Sequence, residues 1–318
     1  MALSPVVIQA AQVLTVAVFA PFVSGVLAKI EALGQGRRGP RVLQPYYDLV
    51  KLLRKEILVP EPASWVFLVA PALAVACFLT VPILIPVLTS YPLPLGIMGD
   101  ILAGGFVLSL GGFALALGSA ETGSPYPQLG SSRAMTFGAL IEPAILFVTF
   151  TVALTTGTDL PYAEGDAVRA SLAQALSPAH VLVMVAFFLV VLNDTGRIPV
   201  ETHASTLELG MIDEARTMEW SGPLLALVRF GSMVKQFVLY VILIDVFTAP
   251  WGLAGSRSPG AIGLAVVALI GKALAVGTVF TLIDNSFSKL RLFKLTEFMA
   301  AVFLLAVLAV MVDLAGLG

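Results

Sequence analysis

Eight apolar runs set the terms on which this chain can fold: about residues 6–28, 65–89, 98–118, 134–156, 179–193, 222–249, 260–283 and 296–316. A helix needs roughly 20 consecutive apolar residues to cross about 30 Å of hydrocarbon, and each run approaches that length. The fifth is short as drawn and should extend by a turn at one end. Inside lipid the backbone must satisfy its own hydrogen bonds, which helices of this length do. The polar segments between runs are no longer than about 28–36 residues, so no separate soluble domain fits. The sequence therefore predicts an all-α integral membrane protein of about eight transmembrane helices, one membrane domain over residues 1–318.

Composition agrees. Charged residues are 12% and apolar ones 58%, where a soluble domain carries roughly 25% charged. The mean hydropathy is +0.97. A net charge of −2 argues against nucleic acid as a partner and leaves membrane lipid as the expected surroundings. The single cysteine, Cys77, and two histidines supply no disulfide framework, metal-ligand set or haem-bridging pair. There is no P-loop and no nucleophile elbow. "GQGRRG" (34–39) formally matches a dinucleotide fingerprint, but it follows an apolar run and has no βαβ context. No metal and no cofactor is expected on this chain, and any redox chemistry would belong to a partner.

The first run has no basic segment before it and is expected to be retained. Loops after runs 1, 3, 5 and 7 carry thirteen bases: Lys29, Arg37, Arg38, Arg41, Lys51, Arg54, Lys55, Arg133, Arg197, Arg216, Lys289, Arg291 and Lys294. The opposite loops carry only Arg169 and Arg257. The positive-inside rule then puts the basic loops in the cytoplasm, both termini outside, and the protein in the inner membrane. In the first basic loop, Val42, Tyr46, Leu49, Val50 and Leu53 recur at helical spacing, with bases off that stripe. This predicts an amphipathic helix over about 41–56 in the headgroup layer. Glycines at 104, 111 and 118, and at 105 and 112, mark a face for close helix packing.

Ionisable groups in such a chain need a partner, a proton or water. Glu142 lies inside the fourth run, followed by Pro143 and preceded by Arg133. Lys235 and Asp245 lie in the sixth run and Lys272 in the seventh, while Glu31 ends the first and Glu297 opens the eighth. The acids are densest in residues 194–221, a loop unusually apolar for its charge. If one helix ran from Glu201 to Ser221, Glu201, Glu208 and Glu219 would fall within about 20° of one azimuth. Their mutual repulsion would then favour holding and passing protons near neutral pH. A solvated acidic loop is the alternative.

Two of these stretches resemble known signatures. "QPYYDLVKLLRKE" resembles the QP-x-x-D-x-x-KLL-x-KE signature of the complex I membrane subunit 1 family, and "DTGRIPV…LEL…EWSG" resembles that family's loop between helices 5 and 6. "RIPVETHASTLELGMIDEARTMEWSG" is most similar to the membrane-anchor subunit of group 4 nickel–iron hydrogenases of the formate hydrogenlyase and hydrogenase-4 type. Trp220 stands where Tyr is usual, and the spacing from Arg197 to Glu219 is three longer than in the quinone enzymes.

The resemblance implies a non-catalytic heel subunit. It would join a peripheral arm, carrying iron–sulfur clusters and nickel–iron in large and small subunits, to antiporter-like membrane subunits. Glu31 and Asp48 match acids near the arm, Glu142 matches the glutamate of helix 4, and Arg197, Glu201, Glu208 and Glu219 match the coupling loop. Asp245, with Arg133, Lys235 and Lys272 as charge partners, completes the expected proton path. The alternatives are a quinone-site subunit of an NADH:quinone oxidoreductase and, from another class, a stand-alone ion transporter. No inverted repeat is visible to support the last.

Overall fold

The computed structural model describes residues 3–96, 99–158, 160–170, 176–195, 213–248, 250–286 and 295–315. Among them the helices are α1 Pro5–Gly34, α2 Gln44–Leu53, α3 Trp65–Leu84, α4 Ile101–Ala120, α5 Pro125–Thr156, α6 Pro161–Ala170, α7 Pro178–Asp194, α8 Asp213–Thr217, α9 Gly222–Ile242, α10 Pro259–Ser286 and α11 Leu295–Leu314. α9 continues into a π-helical turn, Leu243–Thr248. Seven of these helices are long and apolar enough to cross a membrane. α7 is the eighth apolar helix, and its 17 residues reach about 25 Å. The chain is a multi-pass, all-α membrane protein.

Local chemistry sets the helix ends. Ser4, Ser64, Asp100 and Ser177 cap α1, α3, α4 and α7, each accepting from an N–H of the first turn. Gly157, in the left-handed conformation at φ 70°, closes α5. α5 begins at Pro125, about two and a half turns before the expected 134, and so takes Arg133 into the helix. α3 stops at Leu84, short of the expected 89. Pro82 and Pro86 interrupt the ladder there, and the backbone beyond is buried: Ile85, Val87 and Leu88 are almost completely inaccessible. Gln12 of α1 donates its amide to the carbonyls of Pro82 and Ile85, the latter at 2.9 Å, replacing part of what the helix gives up.

α1 and α10 run in the same direction. Gln35 bonds Asn285 at one end of the bundle, and Leu3 bonds Arg257 at the other. Among the described residues, the first end carries the bases from Lys29 to Lys55. α4 packs along both α3 and α5. Its glycines divide by role: a Cβ on Gly111 would meet the Phe78 ring at 2.5 Å and one on Gly118 would meet Ala70 Cβ at 2.6 Å, whereas Gly112 faces open space.

The chain after α1 doubles back beside it, so that Val42 lies against Gly25 and the Tyr46 hydroxyl donates to the Val18 carbonyl. Burial pushes the Tyr46 phenol up, which keeps that donor protonated. α2 turns Tyr46 and Leu49 toward the bundle and leaves Tyr47, Val50 and Leu53 exposed beside Lys51 and Arg54. The expected amphipathic segment is thus helical over its central ten residues.

Candidate functional site

α9 carries two lysine–carboxylate pairs along its length. Lys235 lies thirteen positions beyond Gly222, about 20 Å from the basic end of the helix. Its Nζ donates to Asp194 Oδ1 at 2.8 Å, joining the middle of α9 to the last residue of α7. The pair is largely enclosed, with 25% of the lysine side chain and 11% of the aspartate exposed. Asp194 Oδ2 is buried and has no hydrogen-bond partner among the described residues. Glu142, half-buried on α5, completes the group, and Lys235 and Asp194 are the charges that act on it. The carboxylate lies back along its own helix, where a Cβ on Gly138, one turn earlier, would be in ordinary contact at 3.6 Å from Oε1. Lys235 thus pairs directly with Asp194 at the end of α7, and Glu142 feels both charges through space.

Ten residues further along α9, about 15 Å, Asp245 lies in the π-helical turn and is fully buried. Lys272, midway along α10, donates to Asp245 Oδ1 and to the Trp251 carbonyl at 3.0 Å. Asp245 Oδ2 has no hydrogen-bond partner among the described residues. Between the pairs, Gln236 donates to the Tyr240 hydroxyl at 2.9 Å. A π-turn widens the helix and displaces its carbonyls from the regular ladder. One of them, Phe247, is met by His180 Nε2 at 2.8 Å. α6 lies against the same turn, close enough that a Cβ on Gly165 would be 3.0 Å from the Asp245 carbonyl. Glu164, next to it, is fully buried.

The other expected residues are spread more widely. Glu31 is half-buried in the last turns of α1, and Asp48 is exposed on α2, where Gln44 donates to it at 2.9 Å. Glu297 is exposed in the first turn of α11. Arg133 is half-buried on α5 and pairs with no acid among the described residues. Arg197, Glu201 and Glu208 lie outside the described residues.

Glu219 corrects the helical arithmetic. α8 ends at Thr217 and the chain turns through Met218 and Glu219, so no single helix carries Glu219 into line with Glu201 and Glu208. Packing enforces the turn. Trp220 is buried, stacks on Phe67 at 5.7 Å between ring centres, and donates its indole N–H to the Phe67 carbonyl at 3.3 Å. Ser221 exchanges hydrogen bonds with Leu58, and Gly222 sits at φ 53°, where a Cβ would collide with the Glu56 carbonyl at 2.4 Å.

Asp194, counted from the sequence only as the first acid of the 194–221 cluster, joins the site, and so do Glu164 and His180, which were not singled out. Asp194 could have been found as an acid at the end of a short apolar run. Glu164 could not, because its surroundings in "PYAEGDAVRA" read as solvent-exposed. Among the described residues no group of three or more His, Cys, Asp or Glu side chains could hold a metal ion.

Comparison with known proteins adds an independent line. A family model described as NADH dehydrogenase matches residues 7–315. Formate hydrogenlyase subunit 4 of Escherichia coli K12 is 31% identical over 283 residues, covering 88% of this chain and 90% of that protein. Hydrogenase-4 component C of the same organism is 28% identical over 315 residues, covering 98% and 97%. An NADH-quinone oxidoreductase subunit of Paraburkholderia phymatum is 29% identical over 237 residues, covering 69% and 64%. Among solved structures, a chain of the membrane-bound sulfane sulfur reductase, an archaeal respiratory membrane complex, superposes with a TM-score of 0.81. It is 16% identical and covers 98% of this chain and 100% of that one, a likeness of fold.

Proposed function

The chain belongs to the NADH dehydrogenase family, that of complex I subunit 1, and from that premise we propose that it is the heel subunit of a group 4 hydrogenase-type membrane complex. It anchors a peripheral redox arm and couples electron transfer there to proton movement. The observation that carries this reading is the Glu142–Lys235–Asp194 group at the root of residues 195–221. A lysine–carboxylate pair with a second carboxylate in its field, in a largely enclosed place, responds to any charge that appears nearby, because little water screens the field. Electron transfer in the arm changes charge above the 195–221 segment. The group answers by taking up or releasing a proton, with Glu142 as the membrane-side station.

The likeness to formate hydrogenlyase and hydrogenase-4 proteins favours an arm of large and small subunits carrying nickel–iron and iron–sulfur clusters, with antiporter-like subunits alongside. The basic loops and that arm then face the cytoplasm, the protein lies in the inner membrane, and both termini lie outside. This chain itself supplies no cofactor and no catalytic residue. A second reading, a quinone-site subunit, is favoured by the likeness to the NADH-quinone oxidoreductase protein. A quinone-site inhibitor separates the two, since hydrogen evolution insensitive to it rules the quinone reading out.

The direct test is Glu142→Gln in the assembled complex, with redox turnover and proton movement measured together in sealed inverted vesicles. Removing a proton-carrying group should lower proton movement about tenfold or more, with turnover and assembly retained. Unchanged proton movement per turnover would sink the proposal.

A further inference from the structure

Resting on that reading, we propose that the Asp245–Lys272 pair is a second proton-exchange site, through which this subunit itself passes protons to the half of the membrane opposite the redox arm. Four observations place it there. Asp245 is completely buried, yet only one of its oxygens is engaged among the described residues, leaving Oδ2 enclosed and able to accept a proton. Its partner is a lysine with 16% of its side chain exposed, so the pair has one closed side and one open one. The aspartate lies in a π-helical turn, a local widening that often accompanies function. The backbone beside it, residues 250–254, is not helical, and there the Trp251 carbonyl accepts from Lys272 at 3.0 Å.

The surroundings fit an exchange site better than a structural staple. A merely structural pair would satisfy both carboxylate oxygens, because an enclosed acceptor without a donor is costly. Among the described residues, Lys272 of α10 is the charge that meets Asp245; α6 packs on the same turn through Gly165, beside the buried Glu164, and His180 of α7 is held on the Phe247 carbonyl. Asp166 and Arg169 of α6 point to solvent. Towards the Lys235 pair, α9 presents Gln236 hydrogen-bonded to Tyr240.

The step balances as follows. The resting pair is a carboxylate and an ammonium. A proton arriving from the Lys235 side binds Asp245 Oδ2, leaving a neutral acid beside an uncompensated ammonium. Lys272 then releases one proton through its exposed side. The acid proton passes from Asp245 to the neutral amine, restoring the resting pair. One proton has entered, one has left, and no electron or other reactant is involved.

Lys272→Arg tests this directly, since guanidinium keeps the charge and the ion pair but does not give up a proton. The assembled complex carrying it, in the same vesicles, should keep its redox turnover while proton release falls about tenfold or more. The paired variant Asp245→Asn/Lys272→Met removes both charges together, which commonly leaves stability little changed. It should match the arginine variant in proton release. Isotope-edited infrared difference spectra provide a readout independent of transport: an aspartic-acid carbonyl band should appear on turnover and vanish in Asp245→Asn. Proton release at the normal rate in Lys272→Arg overturns the proposal. If Glu142→Gln abolishes release while both Lys272 variants leave it intact, the coupling reading stands and the second site alone is refuted.

Discussion

Lys235 reaches Asp194 at 2.8 Å and not Asp245, although Lys235 and Asp245 share one span. Ten residues separate those two on α9, a rotation that leaves them about 80° apart around the axis. Each therefore turns to a different neighbour, Lys235 to α7 and Asp245 to α10.

Neutralising one member of the inner pair should be worse than neutralising both. Lys235→Met strands Asp194 without its cation, with Glu142 in its field. The cost expected is ~2–3 kcal/mol, below that of a fully buried pair because the lysine keeps some exposure. Asp194→Asn/Lys235→Met should recover most of the loss while remaining uncoupled. Melting temperatures of the solubilised complex read this out; a double variant that merely sums the two singles would mean the residues do not interact.

The Trp220 anchor yields a second expectation. Trp220→Ala removes the stack on Phe67 and the indole hydrogen bond, and should cost ~3–5 kcal/mol. Trp220→Tyr retains a ring on Phe67 and should cost about 1 kcal/mol, the hydrogen bond alone. The check is the melting temperature together with retention of the peripheral arm. Equal losses in both variants would mean the ring stack contributes little.

The spans were legible because lipid enforces a length and a composition that few other folds share, and seven of eight expected runs became long apolar helices with the eighth somewhat shorter. Their ends were less legible where tertiary contacts decide them. α3 unwinds at Pro82 because Gln12 waits to receive its carbonyls, a fact spread over seventy positions of sequence. The site was legible in residue type and hidden in pairing. Glu142, Lys235, Asp245 and Lys272 stand out as charges in apolar runs, but which meets which depends on helix rotation. Glu164 was invisible because its burial comes from the tertiary packing of α6, which a polar ten-residue stretch does not announce. The helix assumed through Glu219 failed because Trp220 and Gly222 bend the chain at the mouth of α9, and propensity takes no account of such long-range anchors.

The glycine stripe of α4 separates packing from mere helical spacing, and three alanine variants test that separation. Gly111→Ala drives a methyl into the Phe78 ring, and Gly118→Ala drives one into Ala70, with the Trp220 ring 3.3 Å away. Overpacking of this kind should cost about 1–3 kcal/mol each. Gly112 belongs to the same heptad pattern, yet its Cβ position is open. Gly112→Ala should therefore stabilise by about 0.5–1 kcal/mol through helix propensity alone. Melting temperatures of the three variants should fall, fall and rise. A fall for Gly112→Ala of the size seen at position 111 would mean that face is also packed against a neighbour. The stripe's seven-residue repeat would then mark two interfaces where these contacts describe one.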